Sequence, residues 1–207
     1  MASLACWHMT AMPPEIVHLI ERDVAQYGWD QDLQPSEVGS GNLNTRIRNS
    51  KNGWIATDHW SAGWLWYYIS KINRNNFLYD ITDIDGHNMQ LTNYSEGEFY
   101  GWHQDQDIDS FYNPATNESS TENKREDQTI VHGEYVRKLS FVLQLSHPDD
   151  YTGGELQFMN VRGKPFCAPK NLGTLIVFDS RVKHRVRKVR SGVRKSLVGW
   201  VVGPRWK

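Results

Sequence analysis

Apolar side chains recur at helical spacing between about residues 12 and 75, and from Leu78 onward short alternating or uniformly apolar runs take over. Met12-Pro-Pro-Glu15 is followed by Ile16, Leu19, Ile20 and Val24, which predicts an amphipathic helix with prolines and an acid at its start. The polar, Pro- and Gly-punctuated stretch 31–41 predicts a loop, Thr45-Arg-Ile-Arg48 a short strand, and Lys51-Asn-Gly53 a turn. A second helix is expected over 57–72, capped at Thr57 or Asp58. Its stripe of Trp60, Trp64, Tyr67, Tyr68 and Ile72 would pack across a sheet.

The second part of the chain offers runs at 78–84, 89–94, 135–145, 155–160, 173–178, 182–189 and 193–202, with Gly, Pro, Asn and Asp between them. Many short strands with no room for crossover helices exclude a parallel sheet and predict a mainly β fold. With the helices gathered at the N-terminal end, the expected architecture is a jelly roll, a double-stranded β-helix of the cupin kind buttressed by helices. One domain would span 1–207, with helical support at about 12–75 and the jelly-roll core at about 78–203. The polar, acidic segment 106–128 fits neither pattern and is expected to act as a lid.

Composition narrows the function. The 207 residues carry a formal net charge of −1, which argues against a general polyanion-binding role. Two cysteines, Cys6 and Cys167, do not make a disulfide framework and point to a reducing compartment. No apolar run is long enough to span a bilayer, so the expectation is a soluble cytoplasmic protein without a membrane partner. Nine tryptophans and nine tyrosines suit a core and the wall of a ligand pocket equally.

The chemistry gathers in two stretches. His103 and Asp105 stand two apart, so on extended backbone both leave one face. A second imidazole would complete the two-histidine-one-carboxylate set that binds Fe(II) and leaves coordination positions open. His184 is the candidate, because it shares parity with Val182 and Val186 while Lys183, Arg185 and Arg187 point the other way. His8, His18, His59, His87, His132 and His147 lie in tail, helix or turn contexts. Asp107 and Asp109 follow Asp105 at the same parity; the compact His-x-Asp chelate favours Asp105. Arg194 shares a face with Ser196, Val198 and Trp200, and a guanidinium inside a barrel needs an anion to meet it, either a ligand carboxylate or one of the chain's own acids.

Five ordered motifs carry a resemblance. They are Leu91-Thr-Asn-Tyr94…Gly97…Tyr100…His103-Gln-Asp105, then Arg137 to Ser146, Gly153-Gly154-Glu-Leu, Pro169 to Phe178, and His184…Val189…Gly192…Arg194-Lys-Ser196. The chain resembles the prolyl 4-hydroxylase branch of the Fe(II)- and 2-oxoglutarate-dependent dioxygenases, including the PKHD-type hydroxylases, over roughly 78–203. The resemblance implies His103, Asp105 and His184 as iron ligands and catalytic residues. It implies Arg194, helped by Ser196, on the distal carboxylate of 2-oxoglutarate, and Tyr94 as a hydrogen-bond donor to that cosubstrate. Gln144 stands where some relatives carry a cosubstrate-binding tyrosine. Many collagen-type members use lysine at the distal carboxylate; arginine here follows the oxygen-sensing and PKHD-type branches. Trp200 stands where oxygen-sensing relatives keep a tryptophan near the metal, and with Tyr100, Asp107 and the 106–128 segment it is expected to shape the substrate pocket.

The activity implied is hydroxylation of a prolyl residue in a peptide or protein, using Fe(II), 2-oxoglutarate and O2, with ascorbate as reductant and release of succinate and CO2. The same chemistry on a free amino acid or other small molecule is an alternative. A non-catalytic jelly-roll module that merely holds a metal is another. A nucleic-acid demethylase of similar fold would bind DNA with strong salt dependence, which the near-zero charge disfavours. The row Lys183, Arg185, Arg187 suits an acidic partner or a solvated strand face.

Overall fold

The computed structural model describes the backbone of residues 5–8, and residues 13–31, 33–37, 44–106 and 135–206. Asp107 and all of the expected lid beyond Gln106 lie outside the described residues.

In chain order the elements begin with β1 (Ala5–His8), α1 (Pro14–Gln26), β2 (Gln34–Pro35), β3 (Arg48–Asn49), β4 (Lys51–Ala56) and α2 (Trp60–Ile72). They continue with β5 (Asp83–Ile84), β6 (Asn88–Tyr94), β7 (Phe99–His103), β8 (Tyr135–Gln144), β9 (Tyr151–Gly153) and β10 (Leu156–Met159). The last are β11 (Pro165–Cys167), β12 (Leu175–Asp179), β13 (His184–Val186), β14 (Val189–Gly192) and β15 (Arg194–Pro204).

A large sheet runs β1-β12-β8-β15-β6-β4-β2, with β5 also on β15. A smaller sheet runs β11-β10-β13-β7-β3, and β14 pairs with β9. The pairings are antiparallel, as the absence of crossover helices in the pattern requires. This is the jelly roll expected from the strand texture.

Strand alternation splits the large sheet into two faces. Leu139, Phe141 and Leu143 of β8, Leu175 and Val177 of β12, and Leu197 and Val201 of β15 pack outward beneath the helices, with Val17, Ile20, Leu65 and Ile69. Val142, Ile176 and Phe178 point inward and join Leu156, Phe158, Val182 and Val186. The inward side also carries the buried polar residues Gln90, Thr92, Ser140, Gln144, Arg194 and Ser196. Polar groups cost free energy when buried without partners, so this many on an inner face mark a site rather than a core.

The helices differ from expectation in rotation. In α1 the buried residues are Val17, Ile20, Asp23 and Val24, while Leu19 is exposed. In α2 Ala62, Leu65, Ile69 and Ile72 face the sheet, leaving Trp60 and Tyr67 exposed. The flat sheet surface accepts narrower side chains, and the large rings spread along the margin, where Trp64 stacks edge-on with Tyr68. Neither Thr57 nor Asp58 caps α2. The helix starts after His59, whose ring binds Ser61 Oγ and buried Asp23, and Asp23 also accepts from the Trp60 indole at 2.7 Å. These bonds tie α1 to α2.

Gly53 is in mid-strand rather than in a turn. It pairs with Leu91, and a Cβ there would stand 2.6 Å from the Trp29 carbonyl, so glycine marks a close approach. Residues 45–47 form a turn and only Arg48–Asn49 is strand. The run at 78–84 reduces to β5, because Asn73 closes a π-turn onto Leu78 and bonds both backbone groups of Tyr79. The run at 182–189 is two strands: the chain leaves the smaller sheet after Val186 to pair with β9. Cys6 lies in strand β1 rather than in a tail.

Candidate active site

Three strands and one turn assemble the centre. His184 of β13 stands directly across from His103 at the end of β7, with Phe158 of β10 on its other side. Just past β7, the backbone N–H groups of Asp105 and Gln106 both donate to the Ser180 carbonyl, at 3.0 and 3.1 Å. Asp105 is thereby brought level with the two imidazoles. Its carboxylate oxygens lie 3.6 Å from His103 Nε2 and 3.5 Å from His184 Nε2, and the three ligand atoms all fall within 4.8 Å of one another. Ligand atoms of one bound metal stand ~3 Å apart, so these three side chains are close enough to share an ion after a modest contraction.

Each imidazole is fixed from behind. His103 Nδ1 donates to the Gly101 carbonyl at 2.8 Å and His184 Nδ1 to the Val182 carbonyl at 2.9 Å. A carbonyl only accepts, so the proton sits on Nδ1 and the Nε2 lone pair faces the centre. Burial, reinforced by the neighbouring His184, holds His103 down at about 3, so it offers a neutral nitrogen. Burial works to raise the Asp105 carboxyl. His184, His103, the Ser140 hydroxyl at 2.7 Å and Arg137 outweigh it, and Asp105 stays ionised. Two imidazoles presenting Nε2 and one carboxylate are the donor set that suits a ferrous ion.

The turn 179–182 serves two of the three ligands. The carbonyl of Ser180 holds Asp105, its hydroxyl bonds Ser140, and the carbonyl of Val182 orients His184. Buried Asp179 clamps that turn by accepting from the Tyr79 hydroxyl at 2.6 Å and from the backbone N–H and Nε of Arg181 at 2.8 Å. Trp206 closes over the clamp, edge-on to Tyr79 and stacked by Lys138 and Arg181.

Arg194 lies on the inner face of β15, in register with Tyr94 on one side, and is only 1% exposed. It donates to Ser196 Oγ at 3.2 Å and to Gln144 Oε1 at 3.0 Å, while its Nε has no partner. No carboxylate of the described residues is within ion-pair distance of it. A fully buried guanidinium with a spare donor is made for an incoming anion. Tyr94 presents its ring 5.5 Å from the guanidinium.

His103, Asp105, His184, Arg194, Ser196, Tyr94, Tyr100 and Trp200 all line one cavity of about 410 Å³. Gln144 does not line it; it sits behind Arg194 and anchors to the Pro169 carbonyl. Tyr100 stacks on His103 with centroids 3.5 Å apart, and burial pushes its phenol up to about 12, so it remains a donor at neutral pH. Arg137 covers the Trp200 ring and is paired with Asp85 at 2.6 Å. Ser140, Asp179, Ser180 and Arg48 were not singled out from sequence. Ser140 could have been, as a hydroxyl sharing parity with Val142 and Gln144 in an otherwise apolar strand.

A family model described as the 2OG-Fe(II) oxygenase superfamily matches residues 89–202. The chain belongs to the 2OG-Fe(II) oxygenase superfamily. Within it, a PKHD-type hydroxylase of Synechococcus sp. strain CC9902 is 34% identical over 116 residues, which is 56% of this chain and 41% of that protein. A PKHD-type hydroxylase of Parvibaculum lavamentivorans is 34% identical over 111 residues, 54% of this chain and 40% of that protein. The aligned stretch thus spans less than half the length of these relatives. Among solved structures, a prolyl-4-hydroxylase of Pseudomonas putida superposes with a TM-score of 0.68 at 21% identity, covering 98% of this chain and 93% of that one. A Trichoplax adhaerens prolyl hydroxylase, solved with a hypoxia inducible factor peptide fragment, gives 0.67 at 18% identity, covering 96% and 83%. These likenesses fix the fold as that of the 2OG-Fe(II) oxygenases. Among the described residues, no helix is long and apolar enough to cross a membrane.

Proposed function

We propose that the chain is an Fe(II)- and 2-oxoglutarate-dependent hydroxylase acting on a prolyl residue of a peptide or protein in the cytoplasm, with ascorbate keeping the iron reduced. One observation carries the reading: the facing His103, Asp105 and His184 share a cavity with a buried guanidinium that lacks an acid partner. The prolyl hydroxylases among its structural neighbours support the prolyl substrate.

His103, Asp105 and His184 would hold Fe(II) through Nε2, a carboxylate oxygen and Nε2. Bound iron supplies oxidation, in which 2-oxoglutarate, O2 and a C–H bond give succinate, CO2 and an alcohol. Arg194 grips the distal carboxylate of 2-oxoglutarate, and Gln144 and Ser196 hold the guanidinium against rotation. The Tyr94 hydroxyl donates to the same cosubstrate. Tyr100 keeps the His103 ring in plane and, with Trp200, forms the wall against which the target carbon is oriented. Val142, Leu156, Phe178 and Val186 exclude water from the reacting face.

A proline-containing peptide library, incubated with the protein, Fe(II), ascorbate and 2-oxoglutarate, tests the reading by mass spectrometry. Addition of one oxygen to proline, absent with His103→Ala, is expected. Oxygen on another residue type would replace the prolyl substrate, and no substrate-dependent succinate at all would refute the enzyme.

A further inference from the structure

Two cations lining the cavity, Arg194 and Arg48, have no ion-pair partner among the described residues. Asp105 belongs to the candidate metal site, Arg194 faces the cosubstrate position, and Arg137 is matched by Asp85. Arg48 remains. It lines the same cavity, is 9% exposed, and has no acidic partner among the described residues. Its Nε donates to Ser50 Oγ at 3.1 Å and one terminal nitrogen to the Glu37 carbonyl at 3.2 Å. Ser50 is in turn held by Ser36 at 2.8 Å. Glu37 borders the cavity too, but offers Arg48 its backbone and not its carboxylate. Nε and one terminal nitrogen are thus held in place, and neither of these bonds to a described residue uses the other terminal nitrogen.

Its position relative to the centre is set by stacking. The guanidinium carbon lies 4.7 Å from the Tyr100 ring centroid, and Tyr100 lies flat on His103. Arg48 is therefore two stacking steps from a candidate iron ligand. That separation matches about two residues of extended chain, at ~3.3–3.6 Å each. A buried cation without a counter-charge is costly, and it is relieved when a ligand brings the anion.

We infer that Arg48 is a specificity determinant: the cavity takes a substrate bearing a carboxylate one or two residues from the carbon to be hydroxylated. The carboxylate comes from an aspartyl or glutamyl side chain or from a chain end. This rests on the hydroxylase reading above and specifies its substrate class.

The test uses the whole protein with Fe(II) and 2-oxoglutarate and four pools of proline-centred hexapeptides. Three are amidated and differ only in carrying Asp/Glu, Ser/Asn or Lys within two residues of the proline. The fourth is the Ser/Asn set ending in a free carboxylate two residues after it. Succinate release gives kcat/KM, and calorimetry without oxygen gives binding. A charge-assisted hydrogen bond contributes about 1.5–3 kcal/mol, so a preference of at least tenfold for an anionic pool over its neutral counterpart is expected, expressed in KM. Arg48→Gln should erase that preference and Arg48→Lys should restore part of it, which separates charge recognition from a failure to fold. The pool that responds tells a side chain from a chain end. Equal use of all pools, or equal loss on all pools in Arg48→Gln, overturns the subsite. Selective binding of an anionic pool without succinate from any pool keeps the subsite and refutes the prolyl reading. Neither binding nor succinate overturns both.

Discussion

Replacing Asp179 with asparagine tests whether the turn beneath the metal site sets metal affinity or merely stabilises the fold. The side chain is 1% exposed and accepts from Tyr79 and from the backbone N–H, Nε and Nη2 of Arg181. Asparagine keeps the shape but turns an NH2 or a weaker carbonyl toward those donors. The Arg181 side chain is 32% exposed, so the loss falls below the 3–5 kcal/mol of a fully buried broken pair, at about 1–2 kcal/mol. That lowers the melting temperature of the metal-free protein.

The informative quantity is the increment on adding metal. Disturbing groups behind metal ligands typically weakens affinity 10–100-fold. With Mn(II) at 100 times the parent Kd, binding stabilises the parent by about 2.7 kcal/mol, and a tenfold weaker variant by about 1.4 kcal/mol. At ~2–4 °C per kcal/mol for a chain of this size, the Mn(II)-induced rise drops from roughly 5–11 °C to roughly 3–6 °C. Thermal melts with and without Mn(II), backed by calorimetric titration, measure it. An unchanged rise on a lowered baseline would show that the turn stabilises the fold without positioning Asp105 and His184. Tyr79→Phe, which removes one donor to the same carboxylate, should shift the increment in the same direction by less.

Other outcomes follow from the same geometry. Arg194→Met removes a charge-assisted contact of about 1.5–3 kcal/mol, so the KM for 2-oxoglutarate should rise ~10–150-fold in a succinate assay, with kcat far less affected. His103→Ala or His184→Ala should abolish succinate release while circular dichroism of the metal-free protein stays that of a folded chain. The indole of Trp60 and the guanidinium of Arg22, opposed by burial and aided by His59, hold Asp23 down at about 2 against an ordinary 3.8. Its folded pKa lies below the unfolded one, so its stabilisation is complete above about pH 4 and is lost as pH falls through 2. Asp23→Asn should therefore destabilise the protein at pH 7 more than at pH 2, read from urea midpoints at both.

The strands were legible because short apolar or alternating runs are set off by Gly, Pro, Asn and Asp; β12 and much of β8 read as nearly continuous apolar runs because both of their faces are buried. His184 and Arg194 could be found by parity, as polar groups on faces otherwise apolar or shared with Val198. The helix faces were less legible. Their large rings looked like core but lie at the margin, because a sheet packs best against Ala62, Leu65 and Ile69. Gly53 read as a turn since nothing local announces the carbonyl of Trp29 above it. The support beneath the metal was invisible for a similar reason. Tyr79 meets Asp179 from 100 residues away, and Asp23 meets His59 from 36. Such pairs exist only after the sheets have formed. Arg48 does not stand out in the sequence, because a short strand bearing two arginines resembles an ordinary solvated edge.

The two-sidedness of β8, β12 and β15 bears on how this scaffold can be remade. Residues that pack beneath the helices alternate along these strands with those that line the cavity. Randomising positions 92, 140, 142, 144, 196, 198 and 200 should consequently give libraries rich in well-expressed members with altered selectivity, whereas the same diversity at 139, 141, 143, 197 and 201 should leave few survivors to screen.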